Sequence, residues 1–186
     1  MSLQPIITTM QKLTLTLSFI ILAVLSVSGQ KNKPDDAIST TSFYAELGGP
    51  GILFSANIDK RFTQSHLGWG GRIGIGFISG FLTDDPFNSN YNPSSVVTVP
   101  VQINYIFGKK NSPHSFEAGA GVTVAGKKID IFDFYNGRRS NFFATASFMY
   151  RRQPMNGGFS WRIGFTPLIA QGYIQPSGGV SVGYNF

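Results

Sequence analysis

The stretch SFEAGAGVTVA, residues 115–125, decides the fold of this chain. Its even positions are apolar, namely Phe116, Ala118, Ala120, Val122 and Val124. Its odd positions are small or polar, namely Glu117, Gly119, Gly121 and Thr123. Successive side chains of a strand point to opposite faces, so this period of two predicts a β-strand with one apolar face.

The same alternation recurs in eight runs between turn-forming clusters, including 97–107, 159–169 and 180–186. The second face of these runs carries Gly, Ser, Thr and Asn, whereas a soluble barrel would place many Lys, Asp and Glu on its wet surface. Strands that cross lipid must pair all their backbone groups, which requires closure. The pattern predicts an all-β fold, a transmembrane antiparallel up-and-down β-barrel of eight strands over residues 41–186.

Segment lengths between the runs support this topology. Long segments at 82–95, 127–140 and 170–177 alternate with shorter ones at 63–67, 108–114 and 153–157. Short periplasmic turns and long external loops are typical of such barrels. Aromatic residues near the short turns should then form one interfacial girdle; they are Trp69, Tyr105, Phe107, Phe116, Tyr150, Phe159, Trp161, Tyr184 and Phe186.

The segment Ser42–Phe62 is too long for one spanning strand of about 9–11 residues. We predict a break at Gly48–Gly51, which gives strands Phe43–Leu47 and Ile52–Phe62. A single bent strand with a glycine bulge is the alternative. Pro100 and Pro167 are expected near the external rim, where a bulge accommodates the missing ladder hydrogen bond.

The N-terminus and the composition indicate export. Lys12 precedes the apolar run Leu13–Val27 and a small-residue stretch, which predicts a signal peptide over residues 1–29. A transmembrane helix would need about 20 apolar residues. Residues 30–40 are expected to form a flexible periplasmic tail. The predicted location is therefore the cell outer membrane.

Composition also excludes several classes of function. The net charge of +6 is scattered without a dense basic run, which disfavours nucleic acid as a partner. Cysteine is absent, which excludes disulfides, thiolate metal sites, thiol catalysis and a lipoprotein anchor. No cofactor or metal site is predicted. The loop acids Asp84, Asp85, Asp130 and Asp133 are interpreted as solvated residues, since no glycine-punctuated calcium loop accompanies them.

The inward parity carries four charged residues, which we call the lumen charge network: Glu46, Arg72, Glu117 and Arg162. Unpaired charges in a narrow barrel are costly, so we expect ion pairs that fill the lumen. Hydrogen bonds should extend this network to Asn57, Asp59, Gln102, Asn104 and Thr145. The alternative is a selectivity constriction or a proton path.

One external loop is the best candidate for surface interactions, because it combines cations with aromatics; the residues are Lys127, Lys128, Phe134, Tyr135, Arg138 and Arg139. No catalytic residue is predicted. A lipid-modifying enzyme would need a base beside a nucleophile. His66 and His114 both fall in short turns and are interpreted as ordinary turn residues.

The chain resembles the small outer-membrane β-barrel proteins of Gram-negative bacteria, particularly those of Bacteroidetes. The resemblance rests on the stretches 46–49, 54–57, 60–62, 150–154, 157–159 and 164–168. It implies that Val182, Tyr184 and Phe186 form the C-terminal signal that the barrel-assembly machinery recognises. It also implies lipid and lipopolysaccharide as surroundings, and it implies location and fold more than activity.

The sequence therefore predicts a non-enzymatic outer-membrane barrel with a structural or surface-interaction role and a largely plugged lumen. The alternatives are a narrow channel for small solutes and a lipid-modifying outer-membrane enzyme. The extracellular ligand is not specified by any pattern in the sequence.

Overall fold

The structure is a computed structural model that describes residues 38–79, 95–129 and 139–186. Its strands are β1 Thr41–Gly48, β2 Phe54–Arg61, β3 Gly68–Ile78, β4 Val96–Gly108, β5 His114–Ile129, β6 Ser140–Arg152, β7 Gly158–Phe165, β8 Leu168–Ala170, β9 Tyr173–Gln175 and β10 Gly178–Asn185. A short 3-10 turn, Gly49–Gly51, joins β1 to β2. Within the described ranges, no helix has the length and apolar character needed to cross a membrane.

The strands close into a ring in which all neighbours are antiparallel. The order is β1-β2-β3-β4-β5-β6-β7-β10, and β10 pairs back onto β1. β6 pairs with both β7 and β8, so these two segments form one barrel strand, and β9 with β10 forms the last. The predicted closed eight-stranded antiparallel β-barrel is confirmed.

The two prolines are accommodated differently. The break between β7 and β8 falls at Thr166 and Pro167, where the Thr166 amide donates to the Ser177 carbonyl at 2.8 Å. Pro100 lies inside β4, and the β3–β4 register is the same on both sides of it. The sheet therefore accepts Pro100 through a local gap in pairing, and the predicted bulge at this position is wrong.

The segment 42–62 forms two strands. β1 and β2 pair antiparallel along their length, with Ala45 opposite Ala56, so the single bent strand is wrong. β2 begins at Phe54 and not at Ile52, because Ile52 has a positive φ of 80° that belongs to the turn. The Gly48 amide donates to the Leu53 carbonyl at 2.7 Å and closes this connection.

The outer face of the barrel is apolar. Ile75 is 67% exposed there, and the other outward positions of β2, β3 and β4 are also mostly Phe, Ile or Val. At the end of the barrel with turns 62–67, 109–113 and 153–157, which we call the short-turn end, aromatic rings contact one another edge to face or at a tilt. The ring centroids of Trp69 and Tyr105 lie 5.2 Å apart, and those of Tyr150 and Trp161 lie 5.3 Å apart. The predicted girdle faces outward here.

Two element boundaries differ from the sequence predictions. Of the predicted tail 30–40, residues 30–37 lie outside the described residues, and the Ser39 amide bonds the Met155 carbonyl at 3.0 Å. β5 runs on to Ile129, with an irregular register after Val124. Lys127 and Lys128 therefore lie on a strand extension rather than in a loop.

Candidate functional site in the barrel lumen

Seven ionic side chains on the inward-facing strand positions come together inside the barrel. We call these residues the lumen ion cluster; they are Glu46, Asp59, Arg61, Arg72, Glu117, Arg151 and Arg162. All are buried; Asp59, Arg61 and Arg151 lie near strand ends at the short-turn end, whereas Glu46 lies on the other side of the cluster, next to Gly49. Each sits on a strand in the odd or even position that the alternation turns inward.

Asp59 on β2 is the anion with the most cationic neighbours in this cluster. Arg61, two positions further along β2, donates to Asp59 Oδ1. Arg151 Nη1 donates to Asp59 Oδ2 at 2.9 Å, and Arg162 Nη1 lies 3.8 Å from the same oxygen. Gly70 on β3 makes room for Arg61, because a Cβ there would lie 2.1 Å from the guanidinium carbon.

Glu117 on β5 links the opposite wall to the same cations. Arg151 Nη1 donates to Glu117 Oε2 at 2.8 Å, and Arg162 Nη1 donates to it at 3.3 Å. Asn104 Nδ2 donates to Glu117 Oε1 at 3.3 Å. Arg151 therefore bridges Asp59 and Glu117 across the lumen and ties β2 to β5 and β6.

Tyr44 connects this group to a second ion pair. Arg72 Nη1 lies 3.5 Å from Glu46 Oε1 and donates to the Tyr44 hydroxyl at 3.0 Å. The Arg162 guanidinium carbon lies 3.3 Å from the centroid of the Tyr44 ring. A desolvated cation over an aromatic ring contributes about 2 kcal/mol. The structure thus places all four residues of the predicted lumen charge network in one connected cluster.

Sequence reasoning missed Arg61, Arg151 and Tyr44 as members. The strand alternation could have found Arg61, because it lies two and four positions after Asp59 and Asn57 and therefore on the same inward face of β2. The predicted hydrogen-bonding residues are also buried in the lumen, where Gln102 Nε2 donates to Thr145 Oγ1 at 2.7 Å. Asn57 donates to Ser55 Oγ at 2.8 Å.

The cluster has more positive than negative charge. Among the described residues, the four buried arginines face three buried acids. Arg72 Nε, Arg72 Nη2 and Arg162 Nη2 are buried without a hydrogen-bond partner, and so is Glu46 Oε2. Such a surplus of N–H donors favours anions over cations in the lumen. No group of three His, Asp or Glu that could hold a metal occurs among the residues described.

The opposite half of the lumen contains a turn and apolar side chains. Gly49, Pro50 and Gly51 are buried, and the carbonyls of Pro50 and Gly51 accept hydrogen bonds from the barrel wall. Thr123 Oγ1 donates to the Pro50 carbonyl at 2.6 Å, and Thr98 Oγ1 donates to the Gly51 carbonyl at 2.9 Å. The apolar residues next to this turn are Ile78, Val96, Ala125, Ile129, Phe143 and Ala170, with Ile52, Leu53 and Tyr173 packed against them.

Gly49 couples the turn to the ion cluster. It has a positive φ of 70°, and a Cβ there would lie 2.7 Å from the Glu46 carboxyl carbon. Any side chain at this position would therefore be strained and would also collide with Glu46. The close approach sets the Gly49–Gly51 turn directly on the ion cluster.

Comparison with solved structures finds two relevant neighbours. The N-terminal β-barrel domain of Pseudomonas aeruginosa OprF matches with a TM-score of 0.54 and 12% identity, over 81% of this chain and 98% of that one. The Yersinia pestis outer membrane protein Ail, solved in a phospholipid bilayer nanodisc, matches with a TM-score of 0.50 and 12% identity, over 81% of this chain and all of that one. This is the fold of a small outer-membrane barrel. No protein-family model matches the sequence, and no curated protein matches it significantly.

The other predicted sites of this outer-membrane-type barrel are only partly described. Lys127, Lys128 and Arg139 are exposed at the end opposite the short turns, whereas Phe134, Tyr135 and Arg138 lie outside the described residues. The loop acids Asp84, Asp85, Asp130 and Asp133 also lie outside them. Val182, Tyr184 and Phe186 are exposed on the outer face of β10 and at the end of the chain, and their role as an assembly signal stays a prediction.

The two histidines occupy different surroundings at the short-turn end. His66 is buried, and burial lowers the pKa of its imidazole, with a further lowering from the Arg151 charge. His114 is exposed, and its Nδ1 hydrogen-bonds the Tyr150 hydroxyl. Within the described part of the chain, neither imidazole bonds both a nucleophile and a carboxylate. The geometry therefore adds no support to a lipid-modifying enzyme.

Proposed function

We propose that this chain is an integral outer-membrane protein of a Gram-negative bacterium, of the small-barrel type found in Bacteroidetes. Its role is structural or one of surface interaction, and its lumen is closed by its own residues. Residues 1–29 direct export, and the barrel-assembly machinery recognises Val182, Tyr184 and Phe186. Lipid and lipopolysaccharide surround the barrel, and Lys127, Lys128 and Arg139 contribute to its external surface.

The observation that carries this proposal is the inverted distribution of polarity. Glu46, Asp59 and Glu117, the acidic residues among those described, are all buried inside the barrel. The outer face meanwhile exposes large apolar side chains around its circumference, such as Phe54, Ile75 and Phe148 on three different strands. An apolar surface of this extent is unstable in water and is stabilised by lipid.

Two layers support a closed lumen. Arg151 bridges Asp59 and Glu117 across the interior, and an eight-stranded barrel leaves room only for its own side chains. Above them, the buried Gly49–Gly51 turn occupies the axis and is held by Thr98 and Thr123. A solute would have to displace both layers to pass.

Cell fractionation tests the location. The full chain, expressed in a Gram-negative host, is expected in the outer-membrane fraction with an N-terminus near Gln30. Its unheated form should migrate differently from its boiled form on gels, because a closed barrel resists detergent unfolding. Recovery from the soluble periplasmic fraction, with one mobility in both states, would contradict the proposal.

A narrow channel is the second candidate, and the unpartnered nitrogens of Arg72 and Arg162 favour it. If the lumen conducts, the surplus of arginines predicts selectivity for small anions. Reversal potentials in a salt gradient measure this directly. Anion-selective steps that change in Arg72→Ala or Arg162→Ala would support the channel over the closed barrel.

A further inference from the structure

The outer rim at the short-turn end carries three exposed cations, Lys109, Lys110 and Arg152, together with His114, and we call these four residues the basic rim patch. Lys109 and Lys110 lie in the turn between β4 and β5, and all four side chains are exposed. His114 opens β5 directly opposite Arg152 at the end of β6. Opposed residues of this kind have Cβ atoms about 5 Å apart.

The backbone beneath the patch is tied in place. The Ser112 amide donates to the Lys109 carbonyl at 3.1 Å and closes the turn. The amide of Gln153, next to Arg152, donates to the Pro113 carbonyl at 2.7 Å. These bonds join the lysine turn to the end of β6, so the cations of both segments are presented together. A preorganised site loses less entropy on binding.

Among the residues that the structure describes, no acidic side chain lies beside the basic rim patch. Every acidic side chain of the described residues is buried in the lumen, and the salt bridges of the described residues all lie within the lumen ion cluster. Neighbouring cations repel one another unless an anion lies between them. Within the described ranges no acidic side chain offsets this repulsion, so an anionic group supplied by a ligand would stabilise the patch.

Aromatic residues fix the depth of the patch relative to a bilayer. Trp161 lies opposite Arg152 in the β6–β7 register, and its ring lies 5.3 Å from that of Tyr150. His114 bonds the Tyr150 hydroxyl. Trp and Tyr favour the headgroup level of a membrane, so cations beside them lie at the level of lipid phosphates.

We propose that the basic rim patch binds the phosphate headgroup of an anionic phospholipid in the leaflet at the short-turn end. Lys109, Lys110 and Arg152 contact the phosphate, and the acyl chains lie along the exposed rings of Phe116 and Phe148. This inference rests on the proposed function, because it requires that the barrel spans a bilayer. It adds a lipid class and a location on the rim.

The two tryptophans of the chain allow a site-resolved test. Trp161 reports on the patch in a Trp69→Phe background, and Trp69 reports on β3 in a Trp161→Phe background. The full chain is reconstituted in phosphatidylcholine vesicles that contain either brominated phosphatidylglycerol or brominated phosphatidylcholine. Bromine quenches tryptophan at short range, so the ratio of quenching by the two lipids measures headgroup preference at each ring.

We expect association of phosphatidylglycerol at Trp161 to be at least about five-fold stronger than that of phosphatidylcholine, since each nearby cation contributes about this factor. The triple variant Lys109→Gln/Lys110→Gln/Arg152→Gln should bring the quenching ratio at Trp161 close to one. The single variant Arg152→Lys retains the charge and should retain the preference for phosphatidylglycerol. Lys60→Gln is the matched control, because Lys60 is exposed at the same end on β2. It should leave the Trp161 ratio unchanged.

Equal quenching of Trp161 by both lipids in the native chain would overturn the proposal. So would a preference that survives the triple substitution, or one that Lys60→Gln abolishes. Failure of the proposed function has a different signature. If the chain does not span a bilayer, brominated phosphatidylcholine would quench neither tryptophan. The proposed function and the lipid site would then both be contradicted.

Discussion

The two halves of the lumen differ in the kind of contact between their inward-facing residues: one half has ion pairs and the other has a buried turn and apolar packing. The half at the short-turn end contains the lumen ion cluster, with Arg151 between Asp59 and Glu117. The other half contains the Gly49–Gly51 turn and apolar side chains such as Phe143. Both sets point inward on the same alternation. The comparison teaches that strand periodicity selects which residues face the lumen, whereas the volume can be filled by either kind of contact.

The largest expected effect comes from breaking the ionic half. Asp59→Asn leaves Arg61 and Arg151 short of an anion, which is expected to lower the free energy of unfolding by about 3–5 kcal/mol. Urea unfolding of the lipid-reconstituted chain, followed by tryptophan fluorescence, measures the change. Lys60→Gln, an exposed control outside the basic rim patch, should change it by less than about 0.5 kcal/mol. Equal stability of the two variants would show that the ion pairs are dispensable.

The apolar half should respond through a cavity. Phe143 is fully buried, so Phe143→Ala is expected to cost about 3 kcal/mol in the same unfolding experiment. Phe142 is its neighbour on the outer face and is 53% exposed. Phe142→Ala leaves no internal cavity and should cost less than half as much. A larger loss from Phe142→Ala would contradict the packing assigned to this half.

The junction between the halves depends on two hydroxyl groups. Thr98→Val and Thr123→Val each keep the side-chain shape and remove a donor to the turn carbonyls. Each is expected to lower the free energy of unfolding by about 1 kcal/mol. Ser140→Ala is the control, because among the described residues the half-buried Ser140 hydroxyl bonds the backbone of nearby Phe142 and not the turn. Unchanged stability in both threonine variants would mean that the turn is held by other contacts.

The smallest effect is the pH dependence from His66. Burial lowers the pKa of His66, so the folded state keeps the imidazole neutral while the unfolded state binds a proton below about pH 6.5. The contribution of neutral His66 to the free energy of unfolding is therefore fully present above about pH 6.5. It is lost as the pH falls towards the lowered pKa of the folded state. His66→Gln should flatten the acid side of the stability curve. An unchanged slope would locate the dependence in other groups.

Much of the fold could be predicted because lipid-facing and lumen-facing residues alternate. Parity alone was enough to predict Glu46, Arg72, Glu117 and Arg162 as inward residues, and the split at Gly48–Gly51 followed from strand length. Parity gives no distances across the barrel, however. The stacking of Arg162 on Tyr44 joins residues more than a hundred positions apart, and periodicity carries no signal for it.

The rest could not be predicted because it depends on three-dimensional closure. The Gly49–Gly51 turn was predicted as a connection, and only the closed barrel places it inside the lumen. The apolar half was missed because Phe143 and Phe142 are adjacent, so hydrophobicity alone does not show which ring faces inward. His66 was interpreted as an ordinary turn residue, yet it is buried, and the Arg151 charge contributes to lowering the pKa of its imidazole.

Single-molecule conductance tests the closed lumen most directly. The full chain is inserted into a planar lipid bilayer, and insertion is verified by protease protection of the recovered membrane. Because the ion cluster and the Gly49–Gly51 turn both occupy the lumen, the native chain is predicted to give flat current traces. Discrete current steps from the native chain, altered by Arg72→Ala or Arg162→Ala, would contradict the closed barrel.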